Sequence, residues 1–313
     1  MGIEGRTFKL APPASRGTRA SLYILQIDVM PPLLLRLHAH RGSASRTAKA
    51  LRHLEALGLP APRLVFCDRG SPVRLLAGSG GLATCFTLET WIDGTPHVRL
   101  NDPDLARFSA LEVAALLARF HEVTRESWGP PSAGRLRSFA AHTLLGARLM
   151  IRSLQSSGWL QEDEAAALQS AFASWKEVIG RFKRFSLLHK DANRNNFIMG
   201  PSGQVTPVDL HRISYELFPE ELVNALYHFC RKDPDLAARF EEAYFTRAGQ
   251  AARDTYARTR GFFEPLNYLK KLSRRASQLP PRGRRTPDEK MERWRGKVLQ
   301  VRPPGSPSAG SAS

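Results

Sequence analysis

Around residue 93 the hydrophobic pattern of the chain changes period. That change restricts the folds open to it more than any other feature. Before it, apolar residues fall in short β-rich runs; after it, they recur every three or four positions. Residues 22–29 are β-rich with one alternating stretch, and 33–37 follow a Met30-Pro31-Pro32 turn, so the two are expected to pair as a hairpin or meander. Residues 45–57 have helical composition and stop at Gly58, with Pro60 and Pro62 beyond. Residues 63–67 and 83–91 read as short strands separated by a loop at 78–81. Asp93-Gly94-Thr95-Pro96 is turn chemistry and closes the β-rich part.

Beyond that turn, Leu105, Phe108, Leu116 and Phe120 share one helical face. Leu168, Phe172, Trp175, Ile179 and Phe182 follow at alternating steps of four and three, which predicts one amphipathic helix. It opens on Glu162, Asp163 and Glu164 and closes on Arg181, Lys183 and Arg184, complementing the helix dipole. Pro219 starts a helix over 220–231, and another runs from Asp235 to about Arg247. From Gln278 onward Pro, Gly, Arg and Ser dominate, which predicts a disordered tail. The chain therefore reads as α+β: a small β-rich N-lobe over 1–92, a larger, mostly helical C-lobe over 93–277, and a tail over 278–313.

A net charge of +17 points to a polyanionic partner, but its location qualifies that. Residues 1–99 carry 13 basic and 6 acidic side chains, 100–235 carry 16 of each, and 236–313 carry 17 and 7. A nucleic-acid reader would keep its surplus in the groove-facing part, so nucleic acid is not the expected partner. Lys270, Lys271, Arg274, Arg275, Arg282, Arg284 and Arg285 suit peripheral contact with an anionic membrane, worth about 1 kcal/mol per cation near the surface. Residues 21–37 are interrupted by Asp28, Pro31, Pro32 and Arg36, too short a run to span a bilayer. Cys67, Cys85 and Cys230 form no CxxC pair and read as reduced thiols. A cytoplasmic location follows, with the inner face of the membrane as the place of any peripheral contact.

The stretch that carries chemistry is 187–199. Leu187-Leu188 leads into His189-Lys190-Asp191, and Asn196 follows five residues after Asp191. A second apolar hairpin through the 200–203 turn brings Asp209 to a strand end. Phosphoryl transfer needs such a set: one carboxylate to orient or deprotonate an acceptor hydroxyl, and an amide oxygen with a second carboxylate to hold a hard cation. The order, more than any single residue, is specific.

These residues resemble the aminoglycoside phosphotransferase and choline kinase superfamily, relatives of the protein kinases, over roughly residues 15–250. The resemblance implies a bilobal protein-kinase-like fold with ATP and Mg²⁺ as cofactors. It implies Asp191 as catalytic base, Asn196 beside it in the catalytic loop, and Asn196 and Asp209 as magnesium ligands, with His189 supporting the loop. Val208-Asp209-Leu210-His211-Arg212 and His189-Lys190-Asp191 further resemble the signatures of lipopolysaccharide core kinases, whose acceptor is a sugar hydroxyl on a lipid-linked saccharide. Residues 15–21, with Gly17, stand where these families place a phosphate-covering loop. Arg36 stands where they carry a nucleotide-phosphate cation, and arginine suits bidentate phosphate contact. Residues 89–94 are similar to the hinge, so the backbone at Glu89 and Trp91 is expected to receive adenine.

Kinase-like folds pair that cation with a helix glutamate, yet no acidic residue lies between Leu37 and Leu54; Thr47 or Ala48 falls near the expected position. The expected activity is ATP-dependent phosphorylation of a hydroxyl on a small molecule or lipid-linked sugar. An aminoglycoside- or choline-type kinase acting on a soluble cation is the alternative. A pseudokinase binding module is a further one, motivated by the absent helix glutamate and the single glycine. The intact Asp191, Asn196 and Asp209 favour an enzyme.

Overall fold

The structure is a computed structural model that describes residues 8–11, 20–27, 30–38, 40–66, 74–77, 83–134, 138–230, 233–279 and 289–305. Contacts divide the chain into two compact units. The first comprises Met1–Leu116, Pro130–Ala133 and His189–Ser214; the second Leu117–Gly129, Gly134–Leu188 and Tyr215–Ser313. This differs from the 92/93 boundary read from periodicity, because the segment bearing the candidate catalytic residues groups with the β-rich part.

In the first unit, strands β1 (Phe8–Ala11), β2 (Ala20–Ile27) and β3 (Leu33–His38) precede helix α1 (Arg41–Ala56), then β4 (Arg74–Ala77) and β5 (Ala83–Thr90). They form one antiparallel sheet in the order β1-β2-β3-β5-β4. The expected hairpin is β2–β3, with Leu25 opposite Leu33. The expected strand at 63–67 is reduced to one bridge between Leu64 and Glu89, and Cys67 and the 78–81 loop lie outside the described residues. Helix α1 starts four residues earlier than expected and ends at Ala56, two residues before Gly58, whose φ of 63° suits a helix stop. Short strand β6 (Thr95–Pro96) pairs with the later hairpin. The turn before it must be glycine, because a Cβ on Gly94 would come within 2.2 Å of the Met199 carbonyl oxygen.

Helix α2 (Pro103–Glu122) runs on from the first unit into the second. Its buried stripe is Ala110, Val113, Ala114, Leu117 and Ala118, a spacing of three and four. Leu116 and Phe120 of the expected face are buried, but Leu105 and Phe108 stay 40% and 47% exposed. After β7 (Thr124–Arg125) come α3 (Phe139–Ser156), α4 (Glu162–Ala173) and α5 (Lys176–Gly180). The single amphipathic helix expected over this stretch is therefore two. A capping box of Gln161 and Glu164 opens α4 as the acidic first turn suggested. The break falls at Ser174–Trp175, where the Trp175 indole N–H donates to the Arg302 carbonyl at 2.8 Å. The apolar stripe survives it, since Leu168, Phe172, Trp175 and Ile179 are all buried.

Strand β8 (Phe185–Leu188) then leads to hairpin β9 (Phe197–Met199) and β10 (Val205–Pro207), followed by a 3-10 turn at Leu210–Arg212 and strand β11 (Ser214–Glu216). The second unit continues through α6 (Pro219–Phe229), α7 (Pro234–Ala248), α8 (Gln250–Ala276) and α9 (Glu289–Val298). Helices α6 and α7 lie where proline and the apolar spacing put them. Helix α8 has no counterpart in the sequence reading. Pro265 removes one intrahelical hydrogen bond, but buried Tyr256, Phe262, Phe263, Leu266, Leu269 and Leu272 hold the helix through it.

The expected disordered tail is contradicted over α9. Met291, Trp294, Val298 and Val301 are buried, and α9 packs on α8. Four apolar residues in an otherwise charged segment are enough because three of them fall at steps of three and four. The basic stretch is also less free than its charge suggested. Lys270 pairs with Glu220 at 2.8 Å, and the Lys271 ammonium lies 4.1 Å from the Tyr227 ring centroid. Arg282, Arg284 and Arg285 lie outside the described residues. Among the described residues no helix is long and apolar enough to cross a membrane. Cys85 and Cys230 are free and buried.

Candidate active site

The candidate catalytic residues all lie in the first unit, and hydrogen bonds connect them into one frame. Buried β8 leads directly into the loop of Asp191. His189 donates from Nε2 to the Val208 carbonyl at 3.0 Å; a carbonyl only accepts, so this nitrogen carries the proton. The Val208 amide donates to the Asn196 carbonyl at 2.9 Å. These two bonds pin the Asp191 loop to the strand end that bears Asp209. Asn196 donates from its side-chain amide to the Asp191 carbonyl at 2.9 Å. Asn193, which the sequence reading passed over, donates to the Asp191 carboxylate at 3.0 Å and orients it.

Among the described residues only Lys190 and Asp209 are non-glycine residues with positive φ, at 67° and 61°. Each left-handed residue costs roughly 1–2 kcal/mol, and such strain concentrates at functional sites. Here both fall on or next to a candidate carboxylate.

Asp209 takes two donors on one oxygen, Oδ1: Arg36 Nη1 at 3.2 Å and His211 Nδ1 at 3.0 Å. Burial alone would raise its pKa. The hydrogen bond from His211 and the charge of Arg36 outweigh burial and hold the carboxyl at about 2. Arg36 in turn grips Glu89, with Nε to Oε1 at 2.9 Å and Nη2 to Oε2 at 3.4 Å. Glu89 is only 2% exposed. The partner that the sequence could not supply for Arg36 therefore comes from β5. Its register explains why: β3 and β5 are antiparallel neighbours, Leu34 faces Glu89, and Arg36, two residues on, projects from the same side of the sheet.

The Glu89 side chain is committed to Arg36, and the Trp91 amide donates to the Pro32 carbonyl at 3.3 Å. Gly17 lies outside the described residues. Thr47 and Ala48 are buried in α1 and bring no charge.

Among the described residues no group of three or more His, Cys, Asp or Glu side chains could hold a metal. The oxygen donors present nevertheless fit a magnesium-like ion. The Asn196 side-chain oxygen accepts no hydrogen bond among the described residues, and Asp209 is ionised with Oδ2 free of the two donors on Oδ1. One amide oxygen and one carboxylate, completed by water and substrate phosphates, is the way Mg²⁺ is usually bound.

Two buried histidines of this unit set a pH dependence. His38 and His97 are each 3% exposed, and each has its pKa lowered to about 4. The cause is burial first, then the charges of Arg36 and His211 for His38 and of Arg194 for His97. Below about pH 6.5 the unfolded chain takes up protons that the folded chain refuses, so stability falls as pH drops from there toward 4. The loss is up to about 1.4 kcal/mol per pH unit for each histidine. Urea unfolding at pH 7.5 and pH 5 is expected to show a loss of about 2 kcal/mol or more, much reduced in His38→Asn/His97→Asn. Equal stability at the two pH values would refute it.

A small antiparallel sheet with a largely buried cation, joined to a loop and hairpin bearing two carboxylates and an amide, defines a protein-kinase-like phosphotransferase of the α+β class. The chain belongs to the phosphotransferase enzyme family, which it matches over residues 11–262. Solved structures agree on the fold. An amicoumacin kinase in complex with AMP-PNP, Ca²⁺ and Ami is similar at a TM-score of 0.65 and 14% identity, over 97% of this chain and 90% of that one. A microcompartment-associated aminopropanol kinase is similar at 0.61 and 18%, over 95% and 90%. Choline kinase from Cryptosporidium parvum Iowa II is similar at 0.56 and 14%, over 96% and 89%. None of the curated proteins compared matches the chain.

Proposed function

We propose that the chain transfers the γ-phosphoryl group of ATP to a hydroxyl of a small molecule, with Asp191 as the catalytic base. The observation that carries this reading is the hydrogen-bonded frame running from Asp191 through Asn196 and Val208 to Asp209 and Arg36. In it Asp191 accepts the proton of the acceptor hydroxyl as the oxygen attacks the γ-phosphorus. The new O–P bond forms, the bond to the β-phosphate oxygen breaks, and ADP leaves with the electron pair. Asn193 holds the Asp191 carboxylate in place for that proton. Asn196 and Asp209 are the residues that would hold Mg²⁺, which supplies charge neutralisation at the phosphate oxygens. Arg36 meets the nucleotide phosphates, and the backbone of residues 89–94 faces the base.

The solved neighbours are named for amicoumacin, aminopropanol and choline, which supports a soluble small-molecule acceptor. A lipid-linked sugar is the narrower reading. It draws on the Val208–Arg212 sequence resemblance and carries with it peripheral membrane contact. The acidic partner whose absence from α1 suggested a pseudokinase is present at Glu89.

Thermal unfolding with Mg·ATP at 100 times its dissociation constant is expected to show about 2.7 kcal/mol of added stability. A screen of amino-alcohol, aminoglycoside and lipid-linked sugar acceptors for ADP release then selects among the substrate classes. No stabilisation at millimolar Mg·ATP would sink the reading.

A further inference from the structure

Helix α1 contains a single acidic residue, Glu55, and it is exposed in the last turn. Arg36 is nevertheless mostly out of water, with a side chain only 11% exposed. Its fork meets both oxygens of Glu89, and its third contact is Asp209. An arginine carries five N–H donors, so three committed ones leave two for a ligand.

Glu89 is itself held. The Thr87 hydroxyl donates to Oε1 at 2.9 Å. That hydroxyl has spent its one proton, so at 3.1 Å it accepts from His38 Nε2. The His38 Nδ1 then faces the Ser43 hydroxyl at 3.4 Å in the first turn of α1. Thr87, Glu89 and His38 are at most 3% exposed. A buried network of this kind is costly unless every member is satisfied, and here each member has a partner.

We propose that Glu89 is a positioning residue that holds Arg36 for the nucleotide phosphates, supplying from strand β5 the carboxylate that helix α1 lacks. The proposal rests on the reading of Arg36 as a phosphate contact. The strand origin has a physical consequence. Glu89 and Arg36 are fixed by the ladder between β3 and β5, so the placement of the cation is set by the sheet and not by the position of a helix. Arginine is required because a lysine ammonium cannot offer one fork to Glu89 and further N–H groups to Asp209 and a ligand at once.

The test is a double-mutant cycle of Glu89→Gln and Arg36→Met. Affinities for Mg·ATP and for adenosine, which lacks phosphates, are measured by calorimetry, with urea unfolding of each variant alongside. Glu89→Gln is expected to weaken Mg·ATP about tenfold, equivalent to about 1.4 kcal/mol, and to leave adenosine affinity within about twofold. Arg36→Met is expected to weaken Mg·ATP at least as much, and Glu89→Gln to add nothing in the Arg36→Met background. Wild-type protein that binds neither ligand would overturn the nucleotide reading itself. Wild-type protein that binds Mg·ATP, with Glu89→Gln changing unfolding but not Mg·ATP affinity, would make Glu89 merely structural. An equal loss for adenosine and Mg·ATP, or an equal loss with and without Arg36, would likewise overturn the proposal. Should Glu89→Gln fold poorly, Thr87→Val removes the hydroxyl that holds Glu89 without touching a charge. It is expected to give a smaller loss of the same pattern, for Mg·ATP and not for adenosine.

Discussion

Asp191→Asn is expected to lower kcat by about 10²- to 10⁴-fold, the range that general acid–base groups supply, while Mg·ATP affinity stays within about threefold. The substitution keeps the shape of the side chain. The amide oxygen can still accept from Asn193, and the backbone carbonyl still accepts from Asn196. The loop geometry is therefore retained and only the capacity to take a proton is removed. Lys190 remains left-handed beside it, so the strained approach of the loop is unchanged. ADP release against an acceptor found in the screen gives kcat, and calorimetry gives affinity. Turnover within about fivefold of wild type would mean that Asp191 is not the base. A parallel loss of nucleotide affinity would mean that it shapes the binding site instead.

Glu221→Ala is expected to destabilise the protein by about 3 kcal/mol, since removing one partner of a buried charged network leaves the others unsatisfied. His121 is the centre of that network in the second unit. Its Nε2 lies 3.1 Å from the Glu221 carboxylate and its Nδ1 lies 2.7 Å from the Tyr244 hydroxyl. All three residues are at most 5% exposed. Burial first, then the charges of Glu221 and Glu122, push the Tyr244 phenol well above its ordinary pKa, so it acts as a neutral hydrogen-bonding group. The ring also packs 5.6 Å from that of Tyr244, so the network ties α2, α6 and α7 together by contact as well as by hydrogen bonds. A fall of roughly 6–12 °C in Tm should accompany the loss. Arg247→Ala is the control, because its pair with Glu122 is 45% and 43% exposed and is worth at most about 1 kcal/mol. Similar effects from the two variants would show that the buried network contributes no more than a surface pair.

The fold is legible in the sequence where local chemistry decides structure. Pro219 begins α6, Gly58 follows α1, and the acidic turn at Glu162–Glu164 opens α4. Segments whose structure depends on something distant are less legible. Residues 289–305 look like tail because most of their side chains are charged, yet Met291, Trp294 and Val298 pack against α8. The stripe from Leu168 to Phe182 reads as one helix because periodicity does not register the bond from Trp175 to Arg302, over a hundred residues away.

The candidate site divides in the same way. Asp191, Asn196 and Asp209 are legible because one loop and one hairpin carry all three within 19 residues, so spacing encodes their convergence. The partner of Arg36 is not legible. Arg36 and Glu89 are 53 residues apart, and what joins them is the antiparallel register of β3 and β5. A one-residue slip would turn Glu89 to the other face of the sheet. The sequence by itself determined the change from β-rich to helical elements and the spacing of Asp191, Asn196 and Asp209, because both are local patterns. Only the tertiary structure decided which buried charge answers which, because that choice is made by strand register and burial across the sheet.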